Sequence, residues 1–251
     1  MSPQAFILLY GLPFLALFFA RDRLHNVNGP SWLTRDGTLI LAWLGLGLLL
    51  RLPLLWDGGF HYDIGTYKAW ALKLSDPAAP LKIYEDGYFA DYPPLYMYVL
   101  GAIGALVRFF GLESSGHFVA LIKTPALLAD TAVALLLLRA TRGIPGEDRA
   151  RIAPLFLASL YWLNPAIIFD SALWGQTESI LALLLIASWM HWRVQRLWAA
   201  SLLIGLAVAF KPQALFFAYV FGISVLVSQP LRSTLTQAAL GLISFAVVVA
   251  P

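Results

Sequence analysis

Long apolar runs separated by short polar loops set the pattern of this chain. The runs fall near residues 4–20, 38–55, 93–111, 117–138, 152–169, 179–192, 197–210, 212–228 and 234–250. Each approaches, or falls somewhat short of, the roughly 20 residues with which an α-helix crosses a bilayer. The strict polar–apolar alternation of a barrel strand is absent, and a lipid-embedded backbone outside a closed barrel has to be helical to satisfy its own N–H and C=O groups. The pattern therefore predicts an all-α, polytopic transmembrane helical bundle of seven to nine membrane helices. One stretch departs from it. Residues 56–92, WDGGFHYDIGTYKAWALKLSDPAAPLKIYEDGYFADY, are polar and hold six of the chain's fourteen carboxylates. They are expected to form a long extracytoplasmic loop carrying interfacial helices.

Composition supports the same class. Hydrophobic residues make up 60% of the chain and charged residues 12%, with a mean hydropathy of +0.74, too apolar for an ordinary soluble domain. The formal charge of +3 comes from basic residues scattered through short loops, which argues for topology rather than nucleic-acid binding. With no cysteine, disulfides, thiolate metal sites and cysteine nucleophiles are excluded. The first apolar segment lacks a basic leader, and the ARDRLH that follows is a poor cleavage site, so it is expected to be a retained helix. The last segment stops within an apolar run, which predicts a C-terminally truncated or fragmentary product.

Arginine placement gives an orientation. Arg21, Arg23, Arg35, Arg139, Arg142, Arg149, Arg151, Arg193, Arg196 and Arg232 read as cytoplasmic under the positive-inside rule, which puts the acidic loop outside. Two full crossings between residues 93 and 138 would break the alternation. Residues 93–111, which open with Pro93 and Pro94 and contain glycines, are accordingly expected to be re-entrant or interfacial.

Several polar residues in this apolar setting are candidates for chemistry. Asp63 lies among Tyr62, Tyr67 and Trp70; such aromatics stack on sugar rings or anchor at headgroups, and a carboxylate beside them can act as general base on a hydroxyl. A helix N-cap explains Asp63 equally well. Asp91 and Tyr92 precede Pro93-Pro94, a rigid helix entry, where capping again competes with a pocket role. Lys123 and Asp130 lie seven residues apart in one apolar run and so near one face; an ion pair is favoured over substrate contact, because intramembrane charges pair or line polar paths. If YWLNPAIIFDSALWGQTES is helical through its middle, Asp170, Trp174 and Glu178 share one face, with Gln176 beside them. Lys211 and Gln213 flank Pro212 at the end of another run. Together with Arg51, Lys211 could grip a phosphate or diphosphate, although cations at helix ends commonly snorkel.

The order of these motifs resembles a family. A helix ending in Arg51, then D-x-x-x-Y-x-x-W-A from Asp63, D-Y-P-P-L from Asp91, N-P-A from Asn164, W-G-Q from Trp174 and K-P-Q from Lys211 is similar to the GT-C membrane glycosyltransferases. The nearest branch is the GPI mannosyltransferase II-like enzymes, with a wider similarity to the glucosyltransferases of N-glycan assembly. Where the family often has Asp two positions after W-G-Q, this chain has Glu178, which keeps the charge and lengthens its reach. The resemblance implies that residues 1–251 form one GT-C-like domain. It implies inverting transfer of a hexose, mannose by expectation, from a polyprenyl- or dolichyl-phosphate-linked donor to a glycan, lipid or protein acceptor at the extracytoplasmic face. Asp63 would be the catalytic base. Arg51, Tyr67, Trp70, Asp91, Tyr92, Lys123, Asp130, Asp170, Trp174, Gln176, Glu178, Lys211 and Gln213 would contact substrates, with no metal and no cofactor. Partners would be the lipid bilayer and the two substrates, and no nucleic acid. The membrane would be a bacterial or archaeal plasma membrane, or the ER membrane in a eukaryote. Two rival readings stand beside it: a transporter or lipid-linked-oligosaccharide flippase, and a non-catalytic membrane assembly subunit.

Overall fold

The computed structural model describes residues 3–12, 14–15, 36–78, 82–84, 87–142 and 153–250. Within them the chain is helical and has no strand, so the all-α expectation holds. In chain order the elements are α1 (Pro3–Phe6) running into a π-turn (Ile7–Gly11), α2 (Asp36–Arg51) with a 3-10 turn (Leu52–Trp56), α3 (His61–Leu74), α4 (Pro94–Phe110) and α5 (Gly116–Arg142). There follow α6 (Ala153–Trp162), α7 (Pro165–Ile168) with a π-turn (Phe169–Trp174), α8 (Glu178–Arg193), α9 (Leu197–Phe210), α10 (Ala214–Ser228) and α11 (Leu231–Val249).

Among the described residues four helical stretches are long and apolar enough to cross a membrane: Gly37–Trp56, Gly116–Ala140, Pro154–Trp174 and Leu231–Val249. Pro94–Phe110, Leu197–Phe210 and Ala214–Ser228 are apolar but shorter. The segment expected to be re-entrant is thus one unbroken 17-residue helix. At 1.5 Å per residue it is about 26 Å long, somewhat less than the roughly 30 Å hydrocarbon core. Residues 13 and 16–20 of the first apolar run, together with Arg21, Arg23, Arg35, Arg149 and Arg151 of the orientation scheme, lie outside the described residues.

The chain divides into two compact units, Met1–Phe60 with Lys123–Ser179, and His61–Ile122 with Ile180–Pro251. The first is built on tryptophans and polar bonds. Trp43 and Trp162 pack with Ala134, Leu138 and Ala158, and each indole N–H is satisfied: Trp43 Nε1 donates to Ser159 Oγ at 2.8 Å and Trp162 Nε1 to the Trp43 carbonyl at 3.1 Å. A second cluster joins Phe6, Leu54, Ile168 and Ala172. The Asn164-Pro165 pair breaks the third long span: α6 ends, and the Asn164 side chain accepts the Ala166 N–H at 2.9 Å to cap α7. This is what a proline at the first helical position and an asparagine cap dictate.

In the second unit α3 packs on α4 and α9 on α11. Both crossings depend on glycine. A Cβ on Gly104 would strike the Ala71 carbonyl and Ser75 Oγ, and one on Gly205 would strike Ser244 Oγ and the Gly241 carbonyl. Small residues at such crossings let helix backbones approach closely, the usual means of helix association in lipid. The core of this unit is aromatic, with Tyr67, Trp70, Tyr96, Phe118 and Phe210 all nearly inaccessible to solvent.

Candidate functional site

Among its described residues the first unit buries three charged side chains, Arg51, Lys123 and Asp130. Arg51 is fully buried. Its Nε donates to Asp130 Oδ2 at 3.3 Å, its Nη1 donates to the Gly47 and Trp162 carbonyls at 3.2 and 2.7 Å, and its guanidinium lies 4.1 Å over the Trp162 ring. Asp130, also fully buried, accepts the Tyr161 hydroxyl at 2.8 Å and the Ser171 hydroxyl at 2.6 Å. A buried carboxylate with one cation and two hydroxyl donors has most of its lone pairs engaged, the condition under which an ion pair can be tolerated away from water.

Lys123 is used differently. Its ammonium donates to four carbonyls, those of Leu54 (3.0 Å), Asp57 (2.9 Å), Ala172 (2.9 Å) and Leu173 (3.0 Å). Three N–H groups serve four acceptors, so one bond is shared. Leu54 lies in the 3-10 turn and Asp57 caps its end, while Ala172 and Leu173 lie in the last turn of the π-turn. Carbonyls at helix ends lack intrahelical partners and carry negative partial charge. One buried cation therefore closes two chain reversals.

These bonds correct two expectations. Lys123 and Asp130 do not pair with each other, although seven-residue spacing allowed it, because nearer partners take both charges. Arg51 is not an exposed cation at a helix end: it is fully buried, with Nε and Nη1 bonded to Asp130, Gly47 and Trp162 and Nη2 left without a hydrogen-bond partner among the described residues. Asp57, half-buried, supplies one of the four carbonyls to Lys123.

The expected continuous face of Asp170, Trp174 and Glu178 is also not formed. The π-turn ends at Gly175, whose φ of +94° is left-handed, and the Asp170 carbonyl receives the N–H groups of Gly175 and Gln176 at 3.0 and 2.9 Å. Glu178 then starts a new helix and is exposed. Glycine takes a positive φ without steric cost and so ends a helical turn readily. Trp174 packs its ring against Phe60 and Phe169 at centroid distances of 5.0 and 5.6 Å, and its carbonyl accepts the Phe60 N–H at 3.0 Å.

The second unit gathers the other candidates. Asp63 lies in the first turn of α3, half-exposed, rather than at the N-cap position, and Tyr67 follows one turn later. Burial raises the Tyr67 phenol well above the ordinary tyrosine value, with smaller contributions from Tyr92, Tyr96 and Asp63, so it stays neutral. Its hydroxyl shares a 3.0 Å hydrogen bond with that of Tyr92. Trp70 Nε1 donates to the Phe89 carbonyl at 2.7 Å, and Tyr84 donates to the Tyr92 carbonyl at 2.7 Å. The ring of Tyr92 meets Tyr67, Trp70 and Tyr96 at centroid distances of 5.6–5.9 Å. Tyr92 is therefore held at its ring, its hydroxyl and its carbonyl.

Beside it a cleft of about 310 Å³ is lined by Asp91, Tyr92, Lys211, Pro212, Gln213 and Phe216. Lys211 is almost buried and places its ammonium 5.0 Å from the centre of the Tyr92 ring. The K-P-Q motif builds this wall: the Lys211 N–H closes α9 on the Ala207 carbonyl at 2.9 Å, and Pro212 begins the turn into α10. Asp91 is exposed at the cleft. It is not the cap of α4, whose N-cap is Pro93 with no side-chain bond. The structure thus brings Asp91, Tyr92, Lys211 and Gln213 together, with Tyr67 and Trp70 supporting Tyr92. Sequence reasoning missed Phe216, which falls three residues after Gln213 at the start of α10, and Tyr84 and Phe89 in the loop. It also missed Tyr161 and Ser171 as partners of Asp130, and no spacing rule points to them. No group of three or more acidic or histidine side chains suited to a metal occurs among the described residues.

Helix lengths, apolar composition and buried intramembrane charges define an integral, multi-pass helical membrane protein. Residues 78–250 match the family described as GPI transamidase subunit PIG-U, and the chain belongs to that family. PIG-U proteins are membrane proteins related to GT-C-like proteins, so the broad resemblance holds while membership of the mannosyltransferase branch is not shown. No curated protein and no solved structure matches the chain.

Proposed function

We propose that this chain is a non-catalytic membrane subunit of an assembly that handles a glycolipid, in the manner its family description as a GPI transamidase subunit implies. The family match across residues 78–250 carries this reading. The structure is compatible in a specific way. Two of the cations expected to assist sugar transfer are fully buried, Arg51 against Asp130 and Trp162 and Lys123 on four carbonyls. The subunit then contributes recognition and scaffolding, and chemistry belongs to partner proteins. Purification of the full chain from its own membranes in mild detergent tests this. A stable complex of fixed stoichiometry, well above the 27.6 kDa of the chain, is expected. A chain that elutes alone and transfers hexose from a polyprenyl-phosphate donor overturns it.

A second reading keeps glycosyl transfer, with Asp63 as base. The half-exposed Asp63 carboxylate one turn from the Tyr67–Tyr92 pair favours it, since a base needs access as well as position. In reconstituted membranes supplied with a polyprenyl-phosphate hexose, Asp63→Asn would then abolish transfer while leaving the fold intact. Undiminished transfer removes Asp63 from that role.

A further inference from the structure

We propose that the end of the second unit formed by the α8–α9 turn and the start of α11 holds one anionic phospholipid by its headgroup. The place is at the far end of α9 from Lys211 and the cleft, about 20 Å along the helix. The lipid is a resident of the membrane and not a substrate, and its binding is independent of whether the chain acts as a subunit or as a transferase.

Charge is the first observation. From Ser179 to Pro251 the chain has four lysine and arginine residues, Arg193, Arg196, Lys211 and Arg232, and no carboxylate at all. Arg193, Arg196 and Arg232 are exposed, and none of their guanidinium groups forms an ion pair among the described residues. Arg193 lies 5.0 Å over the Trp189 ring instead.

Packing then gathers the three arginines at one level. α9 and α11 lie side by side and run the same way: Ser201 Oγ donates to Gln237 Oε1 at 3.1 Å, and further along both helices Ser244 Oγ donates to the Leu202 carbonyl at 3.0 Å and abuts Gly205. Arg196 and Arg232 each precede the Ser201–Gln237 bond by five residues, which at 1.5 Å per residue puts both about 7.5 Å before it. The turn itself adds Arg193. The Arg196 N–H closes on the His191 carbonyl and the Gln195 N–H on the Trp192 carbonyl, both at 2.9 Å, the bond pair of a Schellman helix end. Gln195 takes the left-handed position that glycine usually fills, with φ of +58°, at a steric cost for any side chain. The reversal is accordingly tight, and Arg193 and Arg196 stand on either side of it.

Aromatic residues set the depth. Trp189 and Trp198 flank the turn, 46% and 58% exposed, and their indole N–H groups make no hydrogen bond among the described residues. Tryptophan settles where acyl chains meet headgroups, and an arginine fork at that level meets a phosphate through two parallel bonds. A soluble anion has no use for the tryptophans. A zwitterionic headgroup leaves three positive charges uncompensated. An anionic phospholipid answers both, with its phosphate among the arginines and its chains along the apolar surface that α11 exposes at Leu235 and Leu242. Such lipids are concentrated in the cytoplasmic leaflet, the side on which the arginine scheme sets this end.

The full chain, delipidated in a neutral detergent, provides the test. It is titrated with phosphatidylserine, with phosphatidylcholine of the same acyl chains and with water-soluble glycerophosphoserine, while native mass spectrometry counts bound lipid and tryptophan fluorescence reads affinity. One phosphatidylserine per chain is expected, bound at least tenfold more tightly than phosphatidylcholine. Arg193→Gln combined with Arg196→Gln should weaken it about tenfold, and Arg232→Gln, on the other helix, about threefold. Arg139→Gln, at an exposed arginine of the first unit, should leave it unchanged. Helical content and elution volume report folding, and Arg232→Gln alone decides the matter if the double variant does not fold. Equal affinity for the two lipids overturns the proposal, as does a folded Arg232→Gln variant that binds like the parent. An equal loss in Arg139→Gln overturns it in favour of diffuse charge, and competition by glycerophosphoserine at equal concentration in favour of a soluble anion.

Discussion

The two units use polar groups in opposite ways. In the first, Arg51, Lys123 and Asp130 are wholly buried, and their bonds run to carbonyls, hydroxyls and one another. In the second, the polar atoms of Tyr67, Tyr84 and Trp70 support a tyrosine beside an open cleft, and Lys211, Asp91 and Gln213 line that cleft. An intramembrane charge is normally a pointer to function. In the first unit the charges are held inside the protein, Lys123 by four carbonyls and Arg51 by Asp130 and two carbonyls, with Arg51 Nη2 left without a hydrogen-bond partner among the described residues. What separates structural from functional charge is the destination of its hydrogen bonds, and burial alone does not reveal it.

Breaking the Arg51–Asp130 pair gives the largest expected effect. Asp130→Leu leaves a buried guanidinium without its counter-charge and should cost about 3–5 kcal/mol, whereas the double change Arg51→Met with Asp130→Leu should recover much of that loss. Thermal unfolding in detergent, followed by circular dichroism, reads both. A double variant as unstable as the single one would show that the pair does more than neutralise itself.

Lys123→Met comes next, because it takes the ammonium from four carbonyls at the ends of two turns, of which that of Leu54 keeps the Asp57 N–H; the expected cost is about 3 kcal/mol. Its sharper signature is local. Hydrogen exchange should rise around Asp57–Phe60 and Gly175–Gln176 before the rest of the first unit opens, and uniform loosening would contradict the closure of those turns by one ammonium.

In the second unit Gly104→Ala should destabilise by about 2 kcal/mol through overpacking at the Ala71 carbonyl, with the change confined to the α3–α4 pair. Smallest is the contrast within the aromatic shell. Tyr67→Phe removes the hydroxyl shared with Tyr92 and should cost about 1 kcal/mol, while Phe216→Ala, at an exposed position, should stay within about 0.5 kcal/mol. If Phe216→Ala proved as costly as Tyr67→Phe, Phe216 would be a packing residue and the contrast between the units would weaken.

Much of the helical layout was legible from the sequence because apolar runs of bilayer length have few alternatives. Leu197–Phe210 appears with the bounds that its hydropathy gives, and Asn164-Pro165 breaks the chain where proline and an asparagine cap dictate. The Asp170–Glu178 stretch was misjudged for a local reason: helical periodicity was carried across Gly175, although a glycine free to take a positive φ is the residue most able to end it. The D-Y-P-P and K-P-Q motifs were singled out separately, and their meeting at one cleft was not derivable. They lie more than a hundred positions apart, and only packing brings Tyr92 beside Lys211.

The sequence by itself determined that this is a helical membrane protein, where its apolar helices fall, and which few polar residues are costly enough to need a reason. Those properties follow from composition and short-range periodicity, which act within one or two turns of chain. The tertiary structure decided where each charge sits: Arg51 against Asp130, Lys123 on four carbonyls, and Lys211 beside the Tyr92 ring. Such assignments depend on distances between segments far apart in sequence, and a hydrogen bond of about 3 Å forms only where packing sets the two groups face to face.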